Sequence, residues 1–142
     1  MILEDYVSYE TAKLLKEKGF VQPEICQCKI YIPKGGYEIT EDDIYAPTQA
    51  LAMKWLRVVH NLLVIPDYDY ECTDKSYCYK IYKLGENGKP ERVPIEGVRY
   101  DMLGEPHTEI VAYRDYERSY SDYETYEEAA EAGIRYCLEN LI

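Results

Sequence analysis

Apolar side chains recur along this chain at two periods, one of about 3.6 residues and one of two. From Val7 to Phe20 the sequence reads VSYETAKLLKEKGF. Ser8 is placed to cap a helix and Glu10 lies in its first turn, favourable to the helix dipole. Gly19 supplies a left-handed stop, after which Phe20 can close back on Leu15. From Glu24 to Ile32, Cys26, Cys28, Ile30 and Ile32 alternate with Gln27, Lys29 and Tyr31, which predicts a half-buried strand broken by PKGG at 33–36. Residues 37–45 are acidic and read as loop.

The strongest helical signal is APTQALAMKWLRVVHN, with Pro47 in the first turn, Leu51, Ala52, Trp55, Leu56 and Val59 on one face, and Asn61 as terminator. Two strands follow, LLVIPDYDY and SYCYKIYKL, around a turn at ECTDK. With Thr73 and Asp74 at the turn centre, Tyr70 faces Tyr77 and Tyr68 faces Tyr79. Residues 85–106 are dense in Gly and Pro and read as a long connection with one short strand near Val98 to Met102. TEIVAYRDY is the last strand predicted. Thr125 and Glu128 stand at capping-box spacing before a helix that buries Ala130, Gly133, Ile134, Cys137 and Leu141.

These elements predict one α+β domain over residues 1–142, in the order α-β-α-β-β-β-α. An antiparallel sheet of three to four strands is covered on one face by the Trp55 and Cys137 helices. Residues 1–45 contribute a helix, a strand and a loop, and residues 46–142 an α-β-β-β-α core. That core has the element order of a double-stranded-RNA-binding domain, a likeness of topology alone. Where that domain meets phosphate with lysines at its last helix, this chain has TYEEAAEAG, with no base. RNA binding is therefore not expected.

Composition alters the picture in two ways. Of 142 residues, 46% are apolar by a count that includes 17 tyrosines against one Phe and one Trp, so much of the hydrophobic content keeps a polar tip near water. The net charge is -11, and the segment from 113 onward holds eight acids and three bases. Such a chain repels phosphate backbones on average, which excludes direct nucleic-acid binding as the first reading. Five cysteines, an acidic start at MILEDYVSYE and no apolar run near ~20 residues lead to the expectation of a cytoplasmic protein outside the membrane.

The blocks ETAKLLKEKGF, TQALAMKWLR and YEEAAEAGIRYCLENLI resemble a group of small uncharacterised proteins of Bacteroidetes gut bacteria and their phages. No activity, cofactor or site residue is assigned to that group. The resemblance implies an accessory or mobile-element origin, where small proteins often act on other proteins.

Catalytic motifs are lacking. Cys26 and Cys28, with Cys72, Cys78 and Cys137 elsewhere, read as core thiols rather than a zinc knuckle, because a C-x-C on an alternating strand points both sulfurs to one face. His60 ends a helix and His107 lies in a predicted loop, neither with a motif that activates a nucleophile. The acids Glu41, Asp42, Asp43, Asp67, Asp69, Glu127 and Glu128 are too many to single out a pair. DYDYECTD lacks the central Gly and terminal Glu of a calcium loop. No cofactor or metal is expected.

What stands out is YRDYERSYSDYETYEE, residues 113–128, with five tyrosines, six acids and two arginines. It reads as a strand end leading into the last helix. The expected role is non-enzymatic binding of a protein with a basic surface, through Tyr113, Asp115, Tyr116, Glu117, Tyr120, Asp122 and Tyr123. Mimicry of nucleic acid toward a DNA-binding enzyme is the alternative. An enzyme with an unrecognised site stands third, and the sequence does not fix oligomeric state.

Overall fold

The computed structural model describes residues 5–21, 29–31, 44–71 and 76–142. Three helices and seven strands alternate in an α+β arrangement among them: α1 (Tyr9–Glu17), β1 (Lys29–Tyr31), β2 (Ile44–Ala46), α2 (Gln49–His60), β3 (Leu62–Tyr68), β4 (Tyr77–Lys83), β5 (Val93–Tyr100), β6 (Pro106–Arg114), β7 (Glu117–Arg118) and α3 (Tyr126–Asn140).

Each helix begins at a hydroxyl cap. Ser8, Thr48 and Thr125 all accept a backbone N–H three residues on, from Thr11, Leu51 and Glu128. Thr48, not Pro47, is therefore the boundary of α2, and Pro47 lies outside it. Gly19 at φ +91 lets Phe20 N donate to the Leu15 carbonyl at 2.9 Å and close α1. Asn61 closes α2 at φ 56 and ψ 31, left-handed, and is the one described non-glycine residue there. Asn61→Gly is expected to leave the urea midpoint almost unchanged, whereas Asn61→Val costs about 1–2 kcal/mol, because only the β-branched side chain resists that conformation.

β3, β4 and β7 form an antiparallel sheet in the order β3-β4-β7, against which α2 and α3 pack. Leu56, Leu62, Ile81, Ile134 and Leu138 are wholly buried in the resulting core, to which α1 adds Leu15. Val59 escapes the expected buried stripe of α2 and stands exposed, while Gln49 takes a buried place and donates to the Glu127 carbonyl at 2.9 Å. Ile44, expected in a loop, and Ala46, expected to open the α2 helical stretch, instead belong to β2, which pairs with β1 (Lys29↔Ala46) and lies against α1. The rest of the 24–32 strand, PKGG and the 72–75 turn lie outside the described residues.

The β3–β4 register differs from expectation by two residues. Tyr68 pairs with Tyr77 and Pro66 with Tyr79. The rings of Tyr68 and Tyr77 meet edge-to-face at 5.3 Å.

The larger departure is in residues 85–116. Rather than a loop with one short strand, β5 and β6 form a hairpin of eight and nine residues, from Val93↔Arg114 to Tyr100↔Pro106. The strand expected over 108–116 thus belongs to this arm, and only Glu117 and Arg118 join the main sheet. The α2-β3-β4-β7-α3 order keeps the α-β-β-β-α sequence of elements, with the arm inserted between β4 and β7. His107, expected in a loop, sits on β6. Asp101 ties the tip together: its Oδ1 accepts from Leu103 N and Glu105 N at 2.9 Å each, and its Oδ2 meets His107 Nε2 at 2.8 Å. The hydrogen bond from His107 and those backbone donors hold the Asp101 carboxyl below its usual range.

Candidate interaction surface

β7 is two residues long, so the flanking side chains are dealt to opposite sides of the sheet. Glu117 pairs with Ile81 and Arg118 with Lys80. Ile81 belongs to the buried core, which sends Glu117 inward, while Lys80 and Arg118 share the outward face.

On that outward face Tyr116 is a platform already occupied. Its ring stacks obliquely with Tyr82 at 5.3 Å, Lys80 Nζ lies 4.9 Å from its centroid, and the Arg114 guanidinium lies 5.7 Å away. Lys80 also bridges Asp67 at 2.7 Å, which lowers the aspartate's pKa and raises that of the lysine. Arg118 donates to Asp69 at 2.7 Å, and Ser121 Oγ donates to the same carboxylate at 2.8 Å. Beside them lies an open cleft of about 650 Å³ lined by Asp69, Arg114, Arg118, Ser119, Tyr120, Ser121 and Asp122.

The seven residues expected to form one surface are separated. Tyr113 ends the arm, with the Arg92 guanidinium 4.5 Å over its ring. Asp115 is exposed and Tyr116 lies on the outward sheet face. Glu117 turns toward α3, where the Tyr136 hydroxyl bonds to it, and its Oε2 is buried without a hydrogen-bond partner. Tyr123 backs onto Tyr79, ring centroids 6.1 Å apart, and burial pushes its hydroxyl pKa up. Only Tyr120 and Asp122 stand together in solvent at the cleft, Tyr120 with 85% of its surface exposed.

The structure adds residues that the linear reading passed over. Asp69 carries the arginine and serine of the cleft, and its chain neighbours Tyr68 and Tyr70 are exposed, Tyr70 to 81%. Their signal was present in DYDY, the same tyrosine–acid alternation as SDY at 121–123. It lies some fifty residues before the tyrosine-rich run, and only the sheet brings the two together.

The candidate chemical groups are dispersed. Cys78 and Cys137 are free and buried, and burial, with Glu117 adding to it, pushes the Cys137 thiol up to about 12. That thiol is closed to reagents and to metal. His60 rests edge-on against Trp55 at 4.6 Å with Nε2 buried and without a hydrogen-bond partner among the described residues, and His107 sits apart in the sequence, near the arm tip. Cys26, Cys28, Cys72, Glu41, Asp42 and Asp43 lie outside the described residues. Among the described residues no three His, Cys, Asp or Glu side chains gather as a metal site, and no helix is long and apolar enough to cross a membrane.

No protein-family model, curated protein or solved structure matches this chain.

Proposed function

We propose that this chain is a small acidic accessory protein of the cytoplasm that acts by binding another protein with a basic surface. The observation that supports this reading best is the charge left over at the open end of the sheet. Arg118 is tied to Asp69, Lys80 to Asp67, and Arg114 lies over Tyr116. By contrast Asp115, Asp122 and Glu124 are exposed and make no ion pair among the described residues. At the same end stand the exposed rings of Tyr70 and Tyr120, over which no cation lies among the described residues. A Lys- or Arg-bearing polypeptide finds there both a carboxylate and an uncovered ring, the pairing that gives tyrosine-rich interfaces their contact area at low entropic cost.

The test is affinity capture from the native cell with three forms of the protein. Tyr70→Ala with Tyr120→Ala, and separately Asp122→Lys, are expected to weaken retention of the captured protein at least tenfold, with thermal midpoints unchanged because all three side chains are solvated. Retention equal to wild type in both variants would remove the reading.

A further inference from the structure

The arm formed by β5 and β6 is a two-stranded hairpin with little beside it. Among the described residues no other element packs along it beyond marginal contact. Isolated hairpins of two strands are marginal in water and usually need a third strand or a covering surface. Its internal ties are polar and exposed, the Arg99–Glu109 bridge at 2.7 Å and the Asp101–His107 contact.

One face of the arm is apolar. Directly opposed residues share a face, so Pro94, Glu96, Val98 and Tyr100 lie with Tyr113, Ile110, Thr108 and Pro106. Val98, Tyr100, Ile110 and Tyr113 are each at least half exposed, and the tip residues Met102 and Leu103 stand out to 102% and 88%. Acids border this surface. Glu96 and Glu105 are exposed and form no ion pair among the described residues. The edges, however, are closed to strand addition. Pro94 removes a donor from β5, and β6 carries an extra residue, Val111, where the register shifts between Ile95 and Glu96. Recognition by this arm therefore runs through its face and tip.

A complementary surface exists on the same chain. Ala50, Lys54, Arg57 and Val58 are exposed on the outer side of α2 at one-face helical spacing, with Val59 beside them. Neither Lys54 nor Arg57 forms an ion pair among the described residues, and no described element covers them. In a protein of charge -11 this is an uncompensated basic and apolar patch, opposite in sign to the arm tip and like it in hydrophobicity. From this complementarity we infer that two copies exchange arms. Met102 and Leu103 of each lie on Val58 and Val59 of the other, with Glu105 against Lys54 and Arg57. A two-fold exchange buries each copy's tip and each copy's helix face together, and both contribute to the ~800 Å² per partner that a stable interface removes from water. At ordinary salt the net charge does not forbid it, since screening over about 8 Å leaves the direct pairs to decide. This inference is independent of the tyrosine rim, which the exchange leaves uncovered.

Sedimentation equilibrium of the full chain at about 0.15 M salt tests it. Wild type is expected to approach twice the monomer mass as concentration rises through the micromolar range. Met102→Asp with Leu103→Asp should be monomeric throughout while melting at the wild-type temperature, because both side chains are already solvated. Glu105→Arg and Arg57→Glu should each weaken association about tenfold, and the double variant Glu105→Arg/Arg57→Glu should return to within threefold of wild type. A wild-type monomer at 1 mM, whether or not it captures another protein, overturns the inference. So does a dimer indifferent to the tip substitutions, or a double variant no tighter than the single ones.

Discussion

Gly133→Val is expected to destabilise the fold by about 3 kcal/mol or more, read as a lower urea midpoint at unchanged slope. A Cβ at Gly133 would stand 2.7 Å from Val64 Cγ1, 3.1 Å from Tyr79 Cβ and 3.2 Å from Tyr79 Cγ. The first is a β-branched side chain with little rotamer freedom, and the second cannot move without its backbone. Absence of a side chain here sets how closely α3 lies on β3 and β4. Gly133→Ala pits this clash against a helix-propensity gain of about 1 kcal/mol, so its net cost should be smaller, about 1–2 kcal/mol. The decisive measurement is a double-mutant cycle. In a Val64→Ala background, Gly133→Ala should become neutral or stabilising, a coupling of at least 1 kcal/mol. An equal cost of Gly133→Ala in both backgrounds would show that close approach is not what the glycine provides.

The same contact explains part of what was legible in the sequence. Helix existence and most of the capping were readable because they depend on local chemistry: Ser8 and Thr125 cap where a hydroxyl residue precedes a periodic stretch, and Gly133 lies on the stripe expected to be buried, whereas the Thr48 cap was hidden behind Pro47, which reads as a first-turn residue. Strand pairing depends on distant partners. The expected Tyr70↔Tyr77 and observed Tyr68↔Tyr77 registers differ by two residues, and such a slip leaves every side chain on its original face. Hydrophobic alternation cannot tell them apart. The arm was illegible for another reason. With both faces largely exposed it shows no buried alternation, and Pro94, Gly97 and Pro106 imitate loop punctuation. In the structure Gly97 does something more specific, since Val111 covers it so closely that a Cβ would stand 2.9 Å from Cγ1.

For the candidate surface, adjacency in the chain and adjacency in space differ. Seven positions counted as one surface because they are adjacent in the chain. A strand only two residues long, with Tyr116 and Glu117 pointing to opposite sides, splits them. The cations intended for a partner's role in that picture turned out to be partly internal: Lys80, Arg92 and Arg114 already sit over Tyr116 and Tyr113. The most exposed rings at this end, Tyr70 and Tyr120, come from separate segments joined by the Asp69–Arg118 bridge. That bridge is why the tyrosine-rich run and DYDY belong to one end of the molecule.

Raising the pH above 9 should unfold this protein progressively, through groups on α3 and on the strand it packs against. Cys137 is wholly buried, and burial, followed by the nearby Glu117, lifts its pKa from 9.0 to about 12. Tyr79 is lifted from 10.0 to about 12, again first by burial and then by Tyr123 and Tyr136. In both cases the folded chain keeps a proton that the unfolded chain releases earlier. Stability from each group is complete below its unfolded pKa and disappears as pH rises toward its folded one. One such proton changes stability by about 1.4 kcal/mol per pH unit, so Cys137 alone accounts for roughly 4 kcal/mol between pH 9 and 12. Tyr79 contributes less because its ring is partly solvated. Against a typical total of about 5–15 kcal/mol, the loss is large. Between pH 9 and 10 the thiol ionises further in the unfolded chain than the phenol does, so the larger part of the loss there belongs to Cys137. Urea midpoints of wild type should decline across that interval, whereas Cys137→Ala, less stable at pH 8 by about 1 kcal/mol for its small cavity, should decline clearly less steeply, the remainder coming from the buried phenols. Parallel curves for the two proteins from pH 9 to 10 would mean that the Cys137 site does not hold its proton as the burial of its sulfur demands.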